Sequence, residues 1–217
     1  MIKSGYATHL PAVVAAFVRT KGPVLEVGSG WFSTPVLRDL AELTKREVLS
    51  IEESVRWAQE GTDSLPGSMY HSLRWRRSYA GSKEFQKSWG LVILDNNGAE
   101  QREELLRTLR GKAKVVVVHE ALPRPMKAAL REWKYGVWLW HLQPWSSAIV
   151  SDTIDVREWG LQGALPMQDE TGRILAIRRQ DEDIVSGVDL KQFVRDNRDT
   201  RAVRSMEGRR RPRYPRP

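Results

Sequence analysis

The stretch GPVLEVGSGWFSTP, residues 22–35, constrains the fold of this chain more than any other. A short apolar, β-branched run enters a pair of glycines, Gly28 and Gly30, as a buried parallel strand does where it meets a tight turn. A Ser-Thr-Pro sequence ending at Pro35 follows at once, and these residue types favour the first turn of a helix. The segment therefore predicts a strand, a sharp turn and a helix.

The same alternation of patterns continues along the chain. Seven runs are predicted as strands, in the order PVLEV, EVLSIE, LRWRRS, WGLVIL, AKVVVVHE, YGVWLWHL and GRILAIRRQ. Most are separated by helical patterns, which indicates crossover connections and a parallel sheet covered on both faces. The last two lack a convincing helix between them, so we expect one to run antiparallel at an edge. The predicted fold is therefore α/β, with a doubly wound, mostly parallel seven-stranded sheet.

The length and the charge distribution divide the chain into a body and a tail. With 217 residues the chain can form one sizeable core, which we place in residues 1–180. The formal net charge is +8, but residues 201–217, with seven arginines and one glutamate, carry +6 of it. We expect residues 181–217 to be a basic extension, mobile from about residue 200. Such a tail could bind nucleic acid or another anionic partner weakly, or simply be solvated.

Composition also excludes several classes of site. The chain has no cysteine, which excludes disulfides, thiolate metal sites and cysteine nucleophiles, and fits a cytoplasmic location. The run LPAVVAAFV near the start is about half of a membrane-spanning length and contains Pro11. It could pass for a weak signal peptide, but it serves equally well as the first helix of the fold. We therefore expect no membrane association.

In an open parallel sheet, ligands bind beyond the carboxyl ends of the strands, where the strand order reverses. Gly28 and Gly30 would let the backbone turn sharply there and let a ligand approach, and Glu26 would point toward the turn. Glu52 ends the second strand and could accept hydrogen bonds from both hydroxyls of a ribose. Ser33 stands where a dinucleotide-binding loop needs a third glycine, which favours an adenosine ligand without a pyrophosphate.

Three stretches, VLEVGSGWFSTPVL, LSIEESVRWAQE and LVILDNNG, together resemble a class I S-adenosylmethionine-dependent methyltransferase of the small Rossmann-like branch. The resemblance covers about residues 9–120. It implies a Rossmann-like methyltransferase fold, S-adenosylmethionine as the cofactor, and an enzyme that transfers methyl groups. It also implies a set of cofactor-binding residues. Glu26, Gly28, Gly30 and Ser33 would lie at the methionine end of the cofactor, and Glu52 would hold the ribose. Glu53, with Trp57 as a further candidate, would lie near the adenine, and Asp95 would lie near the transferable methyl group.

Methyl transfer to a hydroxyl needs a group that removes its proton. Asp95, His119 and Glu120 lie at the ends of the fourth and fifth strands, which should end beside the first. We predict Asp95 and His119 as the catalytic residues. The carboxylates of Asp95 and Glu120 could instead bind Mg²⁺, but the match to metal-dependent catechol-type enzymes is poor, and we expect no metal.

The identity of the acceptor is constrained mainly by exclusion. Asp95 is followed by Asn-Asn-Gly, without the prolines and the aromatic residue of methyltransferases that act on exocyclic amines of DNA bases. Base-carbon methylation of cytosine needs a cysteine nucleophile, which the chain lacks. We therefore expect a small-molecule or glycosidic acceptor methylated on oxygen or nitrogen, with RNA left open. Trp145 and Trp159 are candidates for the acceptor pocket, whereas Trp138 fits core packing.

Two rival functions fit the same sequence. The first is a non-catalytic Rossmann-like binding module whose basic tail docks on nucleic acid. The second is a nucleotide-dependent oxidoreductase, since such enzymes place glycines and an acid at the same two strand ends. The binding module could have kept or lost the cofactor, so a chain that binds neither S-adenosylmethionine nor its demethylated product would not be the predicted enzyme. Stabilisation by NAD(H) but not by the sulfonium would favour the oxidoreductase.

Overall fold

A computed structural model of the chain describes residues 7–121, 124–139 and 145–167. Within these segments the strands are β1 (Val24–Val27), β2 (Val48–Glu52), β3 (His71–Trp75), β4 (Trp89–Leu94), β5 (Ala113–His119), β6 (Tyr135–Leu139), β7 (Ser147–Ser151) and β8 (Leu165–Pro166). They form one sheet in the order β3-β2-β1-β4-β5-β7-β6-β8. The predicted α/β sheet is confirmed.

The first five strands are parallel, and they end level with one another at one edge of the sheet. Val27, the last residue of β1, is in register with Ile51 of β2 on one side and with Leu94 of β4 on the other. The strand order reverses at β1, because the chain moves outward to β2 and β3 and then returns to β4 on the opposite side. This arrangement creates a crevice at the carboxyl edge, between the loops that follow β1 and β4.

The predicted count of seven strands is wrong, because the described residues form eight. The additional strand β7 has the sequence SAIVS and lies in the polar stretch that separates the last two predicted strands. It runs antiparallel to both β5 and β6, so pairing on two sides stabilises a segment whose pattern is too short to identify. The antiparallel β8 has only two residues. The predicted strand at residues 172–180 lies outside the described residues.

Five helices cover the sheet: α1 (Leu10–Arg19), α2 (Ser33–Thr44), α3 (Val55–Ser64), α4 (Ala99–Thr108) and α5 (Arg124–Arg131). One face of the sheet packs against α1 and α2 through a cluster that includes Phe17, Leu37 and Ile93. Residues of the opposite face, such as Leu25 and Val116, are equally buried. Burial on both faces explains why the parallel strands are continuous apolar runs rather than alternating ones.

Helix α1 lies across β4, β5 and β7, which brings its first residues toward the ends of β4 and β5. Its C-terminus is held by Arg46, whose guanidinium donates hydrogen bonds to the backbone carbonyls of Phe17, Thr20 and Gly22. Burial lowers the pKa of Arg46 to about 10. The arginine thus satisfies carbonyl groups that a helix end leaves without partners.

Two further expectations concern membrane association and the basic extension. No helix among the described residues is both long and apolar enough to cross a bilayer. The basic extension at residues 181–217 lies outside the described residues, so the boundary at residue 180 and the role of the arginines stay predictions.

Candidate functional site

The two glycines of the loop after β1 have different tasks. Gly28 has a φ of +87°, and a Cβ placed on it would lie 2.6 Å from the carbonyl oxygen of Asp95 and from the backbone nitrogen of Asn96. Gly28 therefore lets the ends of β1 and β4 pack closely. A Cβ on Gly30 would have no described atom within 4 Å. Open space for a ligand, predicted above both glycines, is present only above Gly30.

Glu52, at the end of the neighbouring strand β2, holds this loop directly. Its Oε2 accepts a hydrogen bond from the backbone N–H of Ser29 at 2.7 Å, and its Oε1 accepts one from the N–H of Ser54 at 2.7 Å. Glu52 is only 7% exposed. Oε2 also accepts a hydrogen bond from Ser29 Oγ at 3.3 Å, whereas Oε1 keeps a second lone pair, so Glu52 can accept a ligand hydroxyl at Oε1 while it orders the loop.

Glu26 supports the same loop from inside the sheet. It is fully buried, and its Oε2 accepts hydrogen bonds from Ser50 Oγ at 2.5 Å and Thr34 Oγ1 at 2.9 Å. Thr34 Oγ1 in turn accepts a hydrogen bond from the backbone N–H of Gly30 at 2.9 Å. Burial raises the pKa of Glu26 to about 7, and the hydroxyls of Ser33, Ser50 and Thr34 offset only part of that effect.

Two residues predicted to bind the cofactor are engaged inside the protein: Ser33 is buried, and Glu53 is hydrogen-bonded to other parts of the chain. Ser33 is buried at the start of α2, with its hydroxyl beside Glu26. The carboxylate of Glu53 accepts hydrogen bonds from the backbone N–H of Tyr79 at 2.7 Å and from Gln101 Nε2 at 3.1 Å. Glu53 therefore connects the loop after β3 to α4, and its contact with a ligand stays a prediction.

Tryptophans border the crevice near the loop. Trp31 follows Gly30 directly and is 48% exposed, and its ring meets that of Trp57 edge to face, with 5.3 Å between ring centroids. Of the two predicted acceptor-pocket residues, Trp145 is exposed, whereas Trp159 packs against the core. Exposed Trp31, packed against half-buried Trp57 beside Gly30, offers a stacking surface to a planar ring or a sugar.

The two predicted catalytic residues lie together, since β4 and β5 are neighbours. His119 Nδ1 and Asp95 Oδ1 are 2.6 Å apart. The side chain of Asp95 is 21% exposed toward the crevice, whereas that of His119 is 2% exposed. Glu120, the third candidate, has φ +52° and its carboxylate accepts a hydrogen bond from Arg102 Nη2 at 2.6 Å. Asp95 and His119 thus form one unit, and Glu120 is paired separately.

Two residues of this unit were missed by sequence reasoning, Thr8 and His9. His9 Nε2 lies 3.5 Å from Asp95 Oδ2, and its ring centroid lies 4.4 Å from that of His119. Thr8 Oγ1 lies 3.2 Å from His119 Nε2 and donates a hydrogen bond to the carbonyl oxygen of Trp145 at 2.8 Å. Both residues precede α1 and belong to no recognisable motif, so the only available signal was their position just ahead of the first helix.

Comparison with known proteins identifies the fold. No protein-family profile and no curated protein matches the sequence. Solved structures that match the chain include a probable spermidine synthase from Corynebacterium glutamicum, with a TM-score of 0.52, 15% identity and 70% of this chain covered. They also include the spermidine synthase from Thermotoga maritima (TM-score 0.51, 16% identity, 71% covered) and an O-methyltransferase family protein from Burkholderia thailandensis (TM-score 0.50, 11% identity, 68% covered). The chain has the class I methyltransferase fold. The matches span 66%, 62% and 57% of those three proteins, respectively.

Within the methyltransferase fold, the described residues assemble the edge that the sequence predicted. Gly30, Glu52 and Asp95 all follow or end strands at the carboxyl edge, on the two sides of the point where the strand order reverses. A ligand lying across that point would meet bare backbone at Gly30, a carboxylate at Glu52 and a second carboxylate at Asp95. The arrangement can hold a neutral or cationic nucleoside and place its reactive end beside Asp95.

Proposed function

We propose that this chain is an S-adenosylmethionine-dependent methyltransferase that acts on an oxygen or nitrogen of a small-molecule or glycosidic acceptor. The observation that carries the proposal is the geometry of the carboxyl edge. Open space above Gly30 lies next to Glu52, and the Asp95–His119 unit closes the neighbouring strand ends. A ligand with a ribose, a positive charge and no phosphate suits this set of groups.

The ribose half of the site is supported by Glu52. A buried carboxylate that already orders the loop through Ser29 is preorganised, so little entropy is lost when ribose hydroxyls bind to it. Hydrogen bonds to a charged group are worth about 1.5–3 kcal/mol each. The adenosine would then extend toward Trp31, whose exposed ring is supported edge to face by Trp57 and can pack against a planar ring.

The transfer itself is an in-line displacement at the methyl carbon of a sulfonium. The acceptor oxygen or nitrogen forms the new bond to the methyl carbon while the carbon–sulfur bond breaks. The electron pair of the broken bond stays on sulfur. The acceptor proton goes to Asp95, the member of the unit that reaches the crevice, while buried His119 holds that carboxylate in place. Asp95 is thus the catalytic residue, and His119 acts through it.

Support from the comparisons is limited to architecture. Spermidine synthases and an O-methyltransferase family protein share the fold at 11–16% identity, and one spermidine synthase is described in complex with the transition-state analogue AdoDATO. A binding module that uses its basic tail on nucleic acid, or an RNA methyltransferase, would have the same fold. The cytoplasmic location, the weak anionic partner and the lack of membrane association also stay part of the proposal.

Isothermal titration of the full chain with S-adenosylmethionine, S-adenosylhomocysteine and NADH tests the proposal. We expect both sulfur nucleosides to bind and NADH not to bind. Glu52→Gln should weaken S-adenosylhomocysteine binding by about 10- to 100-fold, the equivalent of one charged hydrogen bond. Glu47→Gln is the matched control, because Glu47 is exposed just before β2.

Activity completes the test. Transfer of a labelled methyl group to a panel of hydroxyl and amine acceptors should be lost in Asp95→Asn, with binding of S-adenosylhomocysteine retained. If neither sulfur nucleoside binds to the wild-type chain, the proposed enzyme function is wrong. If they bind and only RNA accepts the methyl group, the small-molecule acceptor is wrong.

A further inference from the structure

A chain of hydrogen bonds fixes the proton on one nitrogen of His119. The hydroxyl of Thr8 has a single proton, and it donates that proton to the carbonyl oxygen of Trp145. Toward His119 Nε2, at 3.2 Å, Thr8 Oγ1 can therefore act only as an acceptor. Nε2 must carry a hydrogen, and in the neutral imidazole the lone pair is then on Nδ1.

This lone pair points at a carboxylate. His119 Nδ1 and Asp95 Oδ1 are 2.6 Å apart, a separation at which a lone pair and an anionic oxygen repel unless a cation lies between them. A proton satisfies that condition in the metal-free protein. A metal ion would satisfy it once the two atoms move apart, and a ligating histidine commonly donates its other ring N–H to an oxygen acceptor, as His119 does to Thr8.

A second imidazole completes a set of three ligands. His9 Nε2 lies 3.5 Å from the other oxygen of Asp95, and one ligand atom from each of the three residues lies within 4.8 Å of the other two. Ligand atoms around a tetrahedral ion are about 3.4 Å apart, given bonds of about 2.0–2.1 Å. The 3.5 Å between His9 Nε2 and Asp95 Oδ2 is already close to that spacing, whereas the 2.6 Å between His119 Nδ1 and Asp95 Oδ1 would have to lengthen on metal binding.

We propose that His9, Asp95 and His119 bind a divalent first-row transition metal ion at the carboxyl edge of the sheet. Two imidazoles and one carboxylate suit Zn²⁺, Co²⁺ or Fe²⁺ and disfavour Mg²⁺ and Ca²⁺, which take oxygen ligands. Three protein ligands leave a fourth position for water or substrate. Both imidazoles are almost completely buried, whereas Asp95 is 21% exposed, so the fourth position faces the crevice.

The use of that fourth position rests on the proposed function. An acceptor hydroxyl bound to the ion loses its proton more readily than a free hydroxyl, since a bound divalent cation stabilises the alkoxide. The metal ion would acidify the bound acceptor, and the carboxylate oxygen of Asp95 that does not bind the ion would receive its proton. The existence of the site does not depend on this step, because ligand type and geometry alone define it.

The test is titration of the untagged full chain, stripped with EDTA, with Zn²⁺ and separately with Mg²⁺ by isothermal titration calorimetry. One Zn²⁺ should bind per chain, and Mg²⁺ should not bind. Asp95→Asn and His119→Gln should each lower Zn²⁺ affinity by at least about 100-fold, and Thr8→Val, which removes only the outer hydrogen bond, by about 10-fold. His71→Gln is the control, since His71 lies on β3, outside the three-residue set.

Addition of Co²⁺ to the wild-type chain supplies a readout that no unfolded variant can disturb. Tetrahedral binding should give an intense visible d–d spectrum that Zn²⁺ removes. Absence of that spectrum, lack of Zn²⁺ binding, or an equal loss of affinity in His71→Gln would overturn the site. Titrating S-adenosylhomocysteine into metal-free protein keeps the two proposals apart: its failure with Zn²⁺ binding intact removes the methyltransferase and leaves the metal site.

Discussion

The buried carboxylate of Glu26 should make the stability of the protein fall as the pH rises through neutrality. Burial raises the pKa of Glu26 from 4.5 to about 7 in the folded chain. Below the unfolded-state value both states are protonated, and the contribution to stability is complete. Above it the unfolded chain releases the proton while the folded chain retains it, so stability is lost progressively until the pH exceeds the folded pKa.

The size of the loss follows from the two pKa values. A rise from 4.5 to about 7 corresponds to about 3 kcal/mol, since a tenfold change in proton affinity is worth about 1.4 kcal/mol. No correction for solvent screening is needed, because Glu26 has no exposed surface. In Glu26→Gln the titrating group is absent, so the amide adds only an offset that does not vary with pH.

The assay is urea unfolding followed by tryptophan fluorescence from about pH 4.5 to about pH 8. Other groups titrate equally in both proteins, so the difference in unfolding free energy isolates Glu26. We expect that difference to move by about 3 kcal/mol in favour of Glu26→Gln across the range. Glu104→Gln, at an exposed position on α4, should give no pH-dependent difference. Parallel curves for wild type and Glu26→Gln would refute the reasoning.

Three further predictions follow from the described contacts. Gly28→Ala should lower the unfolding free energy by about 2 kcal/mol or more in urea titrations, because the new Cβ would meet the backbone after β4 and Gly28 has a positive φ. Gly30→Ala should change the unfolding free energy by less than about 0.5 kcal/mol and should weaken S-adenosylhomocysteine binding instead. Equal effects of the two substitutions on stability would contradict the different tasks assigned to the two glycines. Burial lowers the pKa of His71 to about 4, so the unfolding free energy of wild type relative to His71→Gln should fall as the pH drops from about 6.5, against the opposite contribution of Glu26 that both proteins share. A difference that does not change with pH rules this out. Arg46→Met should lower the melting temperature and reduce the free energy of unfolding by about 2 kcal/mol or more, because carbonyl groups at the end of α1 lose a charged hydrogen-bond donor. An unchanged melting temperature would exclude a capping role for Arg46.

The parts of the site that the sequence predicted are those set by strand ends. Parallel strands deliver their last residues to one edge, so the approach of Glu52 to the glycine loop and of Asp95 to His119 follows from the alternation of strand and helix. The different tasks of Gly28 and Gly30 could not be predicted. They depend on how closely β4 passes β1, and no local pattern encodes a distance between two strands.

Local helix signals near the loop were also reinterpreted by the fold. The Ser-Thr-Pro sequence predicts a side-chain cap for α2, but the N-cap is Phe32, without a side-chain hydrogen bond to the helix. Thr34 instead bonds to the loop N–H of Gly30 and to Glu26. A buried carboxylate is a stronger partner for that hydroxyl than a helix N–H group that water can also satisfy.

Connectivity, more than any motif, brings His9 into the site. Helix α1 precedes β1 and ends at Arg19, and only four residues separate it from the amino end of that strand, so α1 must start near the carboxyl edge. Its ten residues span about 15 Å, close to the length of a five-residue strand, so His9 reaches the level of the strand ends. Which strand it reaches depends on packing: α1 lies over β4, β5 and β7, and this places His9 beside Asp95 and His119. A polar residue directly before such a helix is therefore a site candidate on chain direction alone.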